Sequence, residues 1–133
     1  MALSSDVVDA ARRHLRRRDP VMRRLVDSVG PCTLKVRRDK FRMLVGSIIS
    51  QQISWKAAKK IRERLELLVA PAGVTPHTLA ALTLVELRAA GISPQKAGYL
   101  HDLAAKVDAG AVRLGRVGRM ADEAVIAELV QVK

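Results

Sequence analysis

The chain has 133 residues, 49% of them apolar, with 24 Lys and Arg against 13 Asp and Glu, for a net charge of +11. That length supports one domain with a modest core, and the apolar share excludes disorder for most of it. Phe41, Trp55 and Tyr99 are the only aromatic residues, so the core must be built from Leu, Val, Ile and Ala, which favours packed helices.

The helix punctuation is legible in chain order. Asp6 can cap a first helix carrying Arg12, Arg13, Arg16, Arg17 and Arg18. Asp19-Pro20 sets a capping carboxylate before a proline at the first helical position, and Gly30 suits the left-handed end of that second helix. Pro31 to Arg38 reads as extended, because Leu34 and Val36 alternate with Lys35 and Arg37. Asp39 opens a helix in which Phe41, Leu44, Val45, Ile48 and Ile49 recur at helical spacing. This is the most core-like segment. It stops at two adjacent amides, in the run Ser47-Ile48-Ile49-Ser50-Gln51-Gln52-Ile53-Ser54.

Ser54 restarts the chain as an amphipathic helix with Trp55, Ala58, Ile61, Leu65 and Leu68 on one side. Lys56, Lys59, Lys60, Arg62 and Arg64 lie on the other, and Pro71 and Gly73 end it. Thr75-Pro76 begins a short helix. Thr83 to Glu86 fits a capping box, and Gly91 stops the helix it opens. Ser93-Pro94 starts another, with Ala97, Leu100, Ala104 and Val107 as its buried stripe. Gly110, Gly115 and Gly118 mark a loop before a last helix near Asp122-Glu123 that carries Val125, Ile126, Leu129 and Val130. The pattern predicts an all-α domain of six to eight short helices.

The charge points to a polyanion, with nucleic acid first; a merely solvated basic surface is the alternative. The lone Cys32 excludes an intrachain disulfide, a cysteine zinc site and a four-cysteine iron–sulfur cluster. No apolar run reaches membrane-spanning length, and a reduced cytoplasm fits the composition. His14, His77 and His101 have no metal-ligand spacing, and no glycine-rich phosphate loop exists. No metal, cofactor or catalytic constellation is expected from these residues. The amides of Gln51 and Gln52 suit base edges and phosphates, yet they could equally satisfy free carbonyls at a helix end. Trp55 can be a core residue or a stacking platform.

An ordered set of segments carries a resemblance. It comprises Asp19-Pro20, Val29 to Cys32, Phe41 to Ser54, Lys56 to Ala58, Leu87 to Ser93, Lys96 to Leu100 and Glu128 to Lys133. Together these resemble the bacterial 3-methyladenine DNA glycosylase II family, within the helix-hairpin-helix glycosylases, over roughly residues 19 to 133, behind a basic N-terminal helix at 1–18. The resemblance implies base excision repair by a nucleoid-associated cytoplasmic protein. Such enzymes bend double-stranded DNA, flip an alkylated purine and hydrolyse its N-glycosidic bond. It implies that Gln51, Gln52, Ile53 and Ser54 form the loop that fills the vacated gap. Lys56, Lys59 and Lys96 are the further DNA-binding candidates.

In the family, the segment matching Leu129 to Lys133 leads into a glycine-rich hairpin turn, a second helix and the catalytic aspartate. Residues 1–133 stop before these, so the resemblance implies an incomplete helical domain that is inactive alone; Asp102, Asp108 and Asp122 do not match the aspartate. The alternatives are a non-catalytic DNA-binding fragment and a truncated product without independent function. Apolar surface meant for absent helices implies a marginal or self-associating chain.

Overall fold

A computed structural model describes residues 4–33 and 37–133. The extended reading of Pro31 to Arg38 centres on Leu34, Lys35 and Val36, which lie outside the described residues. Among the described residues the fold is all-α: α1 (Ser5–Arg18), α2 (Pro20–Val29), α3 (Lys40–Ser50), α4 (Trp55–Leu68), α5 (Pro76–Ala81), α6 (Leu84–Ala89), α7 (Pro94–Asp108), a 3₁₀ turn (Val117–Arg119) and α8 (Asp122–Leu129). None of these helices is long and apolar enough to cross a membrane. Packing divides the chain into two compact units, Met1–Arg38 and Asp39–Lys133. The sequence boundary after Arg18 falls inside the first.

In the first unit α1 packs against α2. Ser4, rather than Asp6, caps α1: its hydroxyl accepts from the Val7 amide, which places Asp6 inside the first turn. Ser4 precedes the first helical residue, where its short side chain reaches back to the third amide. Asp19 caps α2 through the amides of Val21 and Met22, with Pro20 at the first position. No residue of either helix is buried, and Val21, Leu25 and Val29 stand exposed.

The second unit holds the core, and α7 is its centre. α7 packs against α3, α5 and α6, while α3 also packs on α4. Ala97, Leu100, Leu103 and Ala104 bury the α7 stripe against Phe41, Val45 and Ile49 of α3, Leu79 of α5 and Leu87 of α6 within one cluster. The α4 stripe is narrower than its sequence pattern: Ala58 and Leu65 are buried, but Trp55 and Leu68 are exposed. On a regular helix Trp55 lies about 80° around the axis from Leu65, past the edge of the packed face.

The boundaries after α4 follow local chemistry. Thr75 and Thr78, then Thr83 and Glu86, form reciprocal capping boxes. After α6 the chain closes a Schellman motif, in which the Ile92 amide donates to Leu87 O at 3.1 Å and the Gly91 amide to Arg88 O at 2.9 Å. Both apolar partners of that motif, Leu87 and Ile92, are buried. Gly91 is required twice over, since its φ is +97° and a Cβ there would lie 3.2 Å from Ile61 Cγ1 of α4. Gly91→Ala should therefore destabilise the second unit by about 2 kcal/mol, from the left-handed backbone and the crowded isoleucine together. Equilibrium urea unfolding checks this; an unchanged midpoint would refute it.

Candidate functional site

The four residues Gln51 to Ser54 join α3 to α4. Their footing is apolar: Val45 and Ile49 are buried, and Ile48 packs half-buried against the same core. On the far side Ser54 caps α4, its Oγ accepting from the Ala57 amide at 3.2 Å. Between these fixed ends Gln52 adopts φ +56°, the only positive φ at a non-glycine residue among the described residues. A left-handed glutamine costs about 1–3 kcal/mol unless its surroundings hold it there.

What holds it comes from α7. Lys96 Nζ donates to Ile49 O at 2.8 Å and to Gln51 O at 2.7 Å, bridging the last carbonyls of α3 across the core. A cation at a helix C-terminus also complements the helix dipole. The Gln51 amide donates to Ile48 O, so another carbonyl of the last α3 turn is also engaged. At the helix end, Ile48 O and Ile49 O are thus taken by the Gln51 backbone amide and by Lys96. Among the described residues the side-chain amides of Gln51 and Gln52 make no hydrogen bond, and both residues are exposed. Helix capping therefore does not account for the paired glutamines.

The start of α4 has its own unusual composition. Trp55 is 69% exposed, and Lys59 Nζ sits 5.6 Å from its ring centroid. That is cation–π range. Lys56, also exposed, occupies the first turn, where a cation opposes the helix dipole but adds to the pull of the free amides on an anion. Trp55, which the sequence left between core and platform, is a surface residue beside the turn. Lys59 Nζ also lies 3.8 Å from Glu63 Oε1. Of the predicted residues, the structure brings Gln51 to Ser54, Lys56, Lys59 and Lys96 to one turn and its flanks. It gives Lys96 a different post from the others, with its ammonium turned onto backbone carbonyls.

The carboxylates around this region have structural duties. Asp39 caps α3, and Glu66 pairs with Arg42. Glu128 is buried, and its carboxylate accepts from the Arg113 amide with Arg113 Nε 3.6 Å away. Sequence reasoning missed that role; the one signal was an acid inside the apolar α8 run. Asp102 accepts from Lys106 Nζ at 2.9 Å and from the Lys133 amide at 2.8 Å. Lys106 also donates to Gln131 O. The Lys106 ammonium, then the Lys133 amide, hold the Asp102 carboxyl below its ordinary value of 3.8. The Thr83 amide and hydroxyl likewise hold Glu86 below its ordinary 4.5. No group of three His, Cys, Asp or Glu among the described residues could hold a metal ion.

Against this geometry the comparisons are decisive. Residues 45–131 match the HhH-GPD superfamily of base excision DNA repair proteins, a span that begins in α3 and takes in the turn, α4 and α8. The chain belongs to that superfamily. No curated protein matches it by sequence. Two solved structures are similar. One is a DNA-3-methyladenine glycosidase from Bacillus halodurans, 29% identical with a TM-score of 0.74, matched over 90% of this chain and 55% of its own. The other is a 3-methyladenine DNA glycosylase from Schizosaccharomyces pombe in complex with abasic DNA, 27% identical with a TM-score of 0.82, over 93% of this chain and 63% of its own. The chain therefore spans between about half and two thirds of the length of these two proteins.

Two outcomes follow from the site's chemistry. Lys96→Met removes two charge-assisted bonds and should cost about 2–3 kcal/mol, with faster amide exchange at Gln51 and Gln52 than in the core of α7. Uniform exchange across both segments would contradict the bracing role. Both depressed carboxyls contribute stability that is present above pH about 4.5 and lost as pH falls through their lower folded values. Asp102→Asn should flatten the acid limb of a thermal-melt pH series below about pH 4. An unaltered limb would refute the Asp102 ties as its source.

Proposed function

We propose that this chain is the DNA-engaging part of a base excision repair glycosylase for alkylated purines such as 3-methyladenine. Gln51 to Ser54 enter the duplex where the damaged nucleotide has been flipped out. The observation that carries this reading is the pair of free glutamine amides on a turn whose carbonyls are already taken by Lys96. Side chains in that position have donors and acceptors to offer an unpaired base opposite, and Ile53, 38% exposed, adds an apolar edge. Lys56 and Lys59 flank the turn with positive charge for backbone phosphates, while Lys96 serves the site by shaping the turn. The abasic DNA bound to the similar glycosylase from Schizosaccharomyces pombe supports duplex DNA as the ligand.

Hydrolysis requires more than the wedge. A cleaved N-glycosidic bond leaves a cationic sugar, which a nearby carboxylate stabilises. Asp39, Glu66, Glu86, Asp102 and Glu128 are occupied in caps, ion pairs or buried hydrogen bonds. In this reading a polypeptide of residues 1–133 binds and distorts DNA but does not release the base. The exposed Val21, Leu25 and Val29 of the first unit supply apolar surface for self-association in such a polypeptide.

Fluorescence anisotropy on a duplex bearing an abasic analogue tests the reading. With about four phosphate contacts, affinity should fall about 100-fold between 50 and 200 mM salt. Gln52→Ala should reduce the preference for the abasic over the intact duplex about tenfold, or ~1.4 kcal/mol. Salt-independent affinity, or an undiminished preference in the variant, would refute the wedge. Release of 3-methyladenine from alkylated DNA by residues 1–133 would refute the missing carboxylate.

A further inference from the structure

The first unit carries a basic feature that the turn does not use. Residues 4–33 hold seven arginines against four aspartates. Three of those aspartates are occupied, Asp9 with Arg12, Asp27 with Arg16 and Asp19 as the cap of α2. Where α1 meets α2, an open cleft of about 400 Å³ is lined by Arg13, Arg16, Arg17 and Arg23 and by no carboxylate. Two of its guanidiniums are held in place. Arg16 Nη2 lies 2.9 Å from Asp27 Oδ1, and Arg23 Nε donates to Arg16 O at 3.1 Å. Arg13 and Arg17, one helical turn apart, form no ion pair among the described residues.

Asp27 offsets Arg16, and the other three guanidiniums around the cleft repel one another unless a further anion lies among them. The planar forks of all four match phosphate oxygens in pairs, and two are fixed before any ligand arrives. A fold that needed only solubility would intersperse acids throughout, as Asp9 does beside Arg12, whereas here Asp27 pairs with Arg16 alone of the four. We propose that the α1–α2 cleft is a second DNA contact, a site for backbone phosphates of duplex DNA separate from the Gln51–Ser54 turn. It rests on the reading of the chain as a DNA-binding protein. It reads no sequence, because guanidinium–phosphate contacts carry none.

The test compares salt slopes for the full chain on intact and abasic duplexes. Arg13→Gln/Arg17→Gln should weaken both complexes equally, by tenfold or more at low salt. It should also reduce the slope of log affinity against log salt by about two. The charge-keeping Arg13→Lys/Arg17→Lys chain should retain the slope, separating charge from any folding defect. An unchanged slope in the Gln variant, with wild-type binding intact, overturns the cleft and leaves the turn untouched. An undiminished abasic preference in Gln52→Ala, with the slope change present, overturns the turn and supports the cleft. If the Arg13→Gln/Arg17→Gln chain loses binding only to vesicles of anionic lipid, the ligand is a membrane surface and the DNA assignment is overturned.

Discussion

Everything proposed for the turn depends on one lysine. Lys96 places a positive charge on the last carbonyls of α3, at Ile49 and Gln51, and so ends that helix by a contact between distant segments. A helix end needs partners for its free carbonyls, and side chains nearby in sequence usually supply them. Here α7 supplies them. The consequence is that Gln51 and Gln52, the obvious local partners, are released from structural duty. The backbone can also be held through a left-handed residue that has no glycine to ease it.

The same helix ties down several other segments by polar contacts that pass around its apolar stripe. His101 Nε2 lies 2.9 Å from Leu82 O, in the connection before α6. Asp102 and Lys106 together hold the backbone at Gln131 and Lys133. α7 is thus a hub whose buried face carries the packing energy while its flanks set the exact course of the surrounding chain. This division suits a binding surface. Apolar burial is non-directional and would tolerate small shifts of α3 and α8, whereas paired hydrogen bonds to particular carbonyls do not.

What the sequence could and could not reveal follows the same line. Caps were legible because each is a local event: Asp19-Pro20, Thr83 with Glu86 and Ser93-Pro94 carry their partners within four residues. The all-α class was legible from helical periodicity and the scarcity of aromatic and strand-like segments. At the start of α1, Ser4 and Asp6 are both good caps, and pattern alone chose the wrong one. Trp55 was ambiguous because its type says core while its angular position says edge. Lys96 looked like one more basic residue for DNA, since nothing local reveals a partner 45 residues away. Glu128 was hidden in the same way, its partner at Arg113 lying across a loop.

The strongest sign of function is where the chain departs from its own folding logic. Through α5, α6 and α7 the caps and the buried stripe agree, although single apolar side chains such as Val85 stand exposed. Within the five residues from Gln52 to Lys56 three rules are broken at once: a left-handed glutamine, an exposed tryptophan and a cation at a helix N-terminus. Each costs stability and none contributes packing. Exposed apolar side chains such as Leu67 and Val85 also occur singly elsewhere. Among the described residues, however, only this turn joins one to a left-handed non-glycine residue, and a marginally stable domain has little free energy to give to such a cluster. Clustered on one braced turn, they fit its proposed reading as a surface for a ligand that is anionic and has flat faces to stack on. Nucleic acid meets both conditions, and it does so without appeal to any relative.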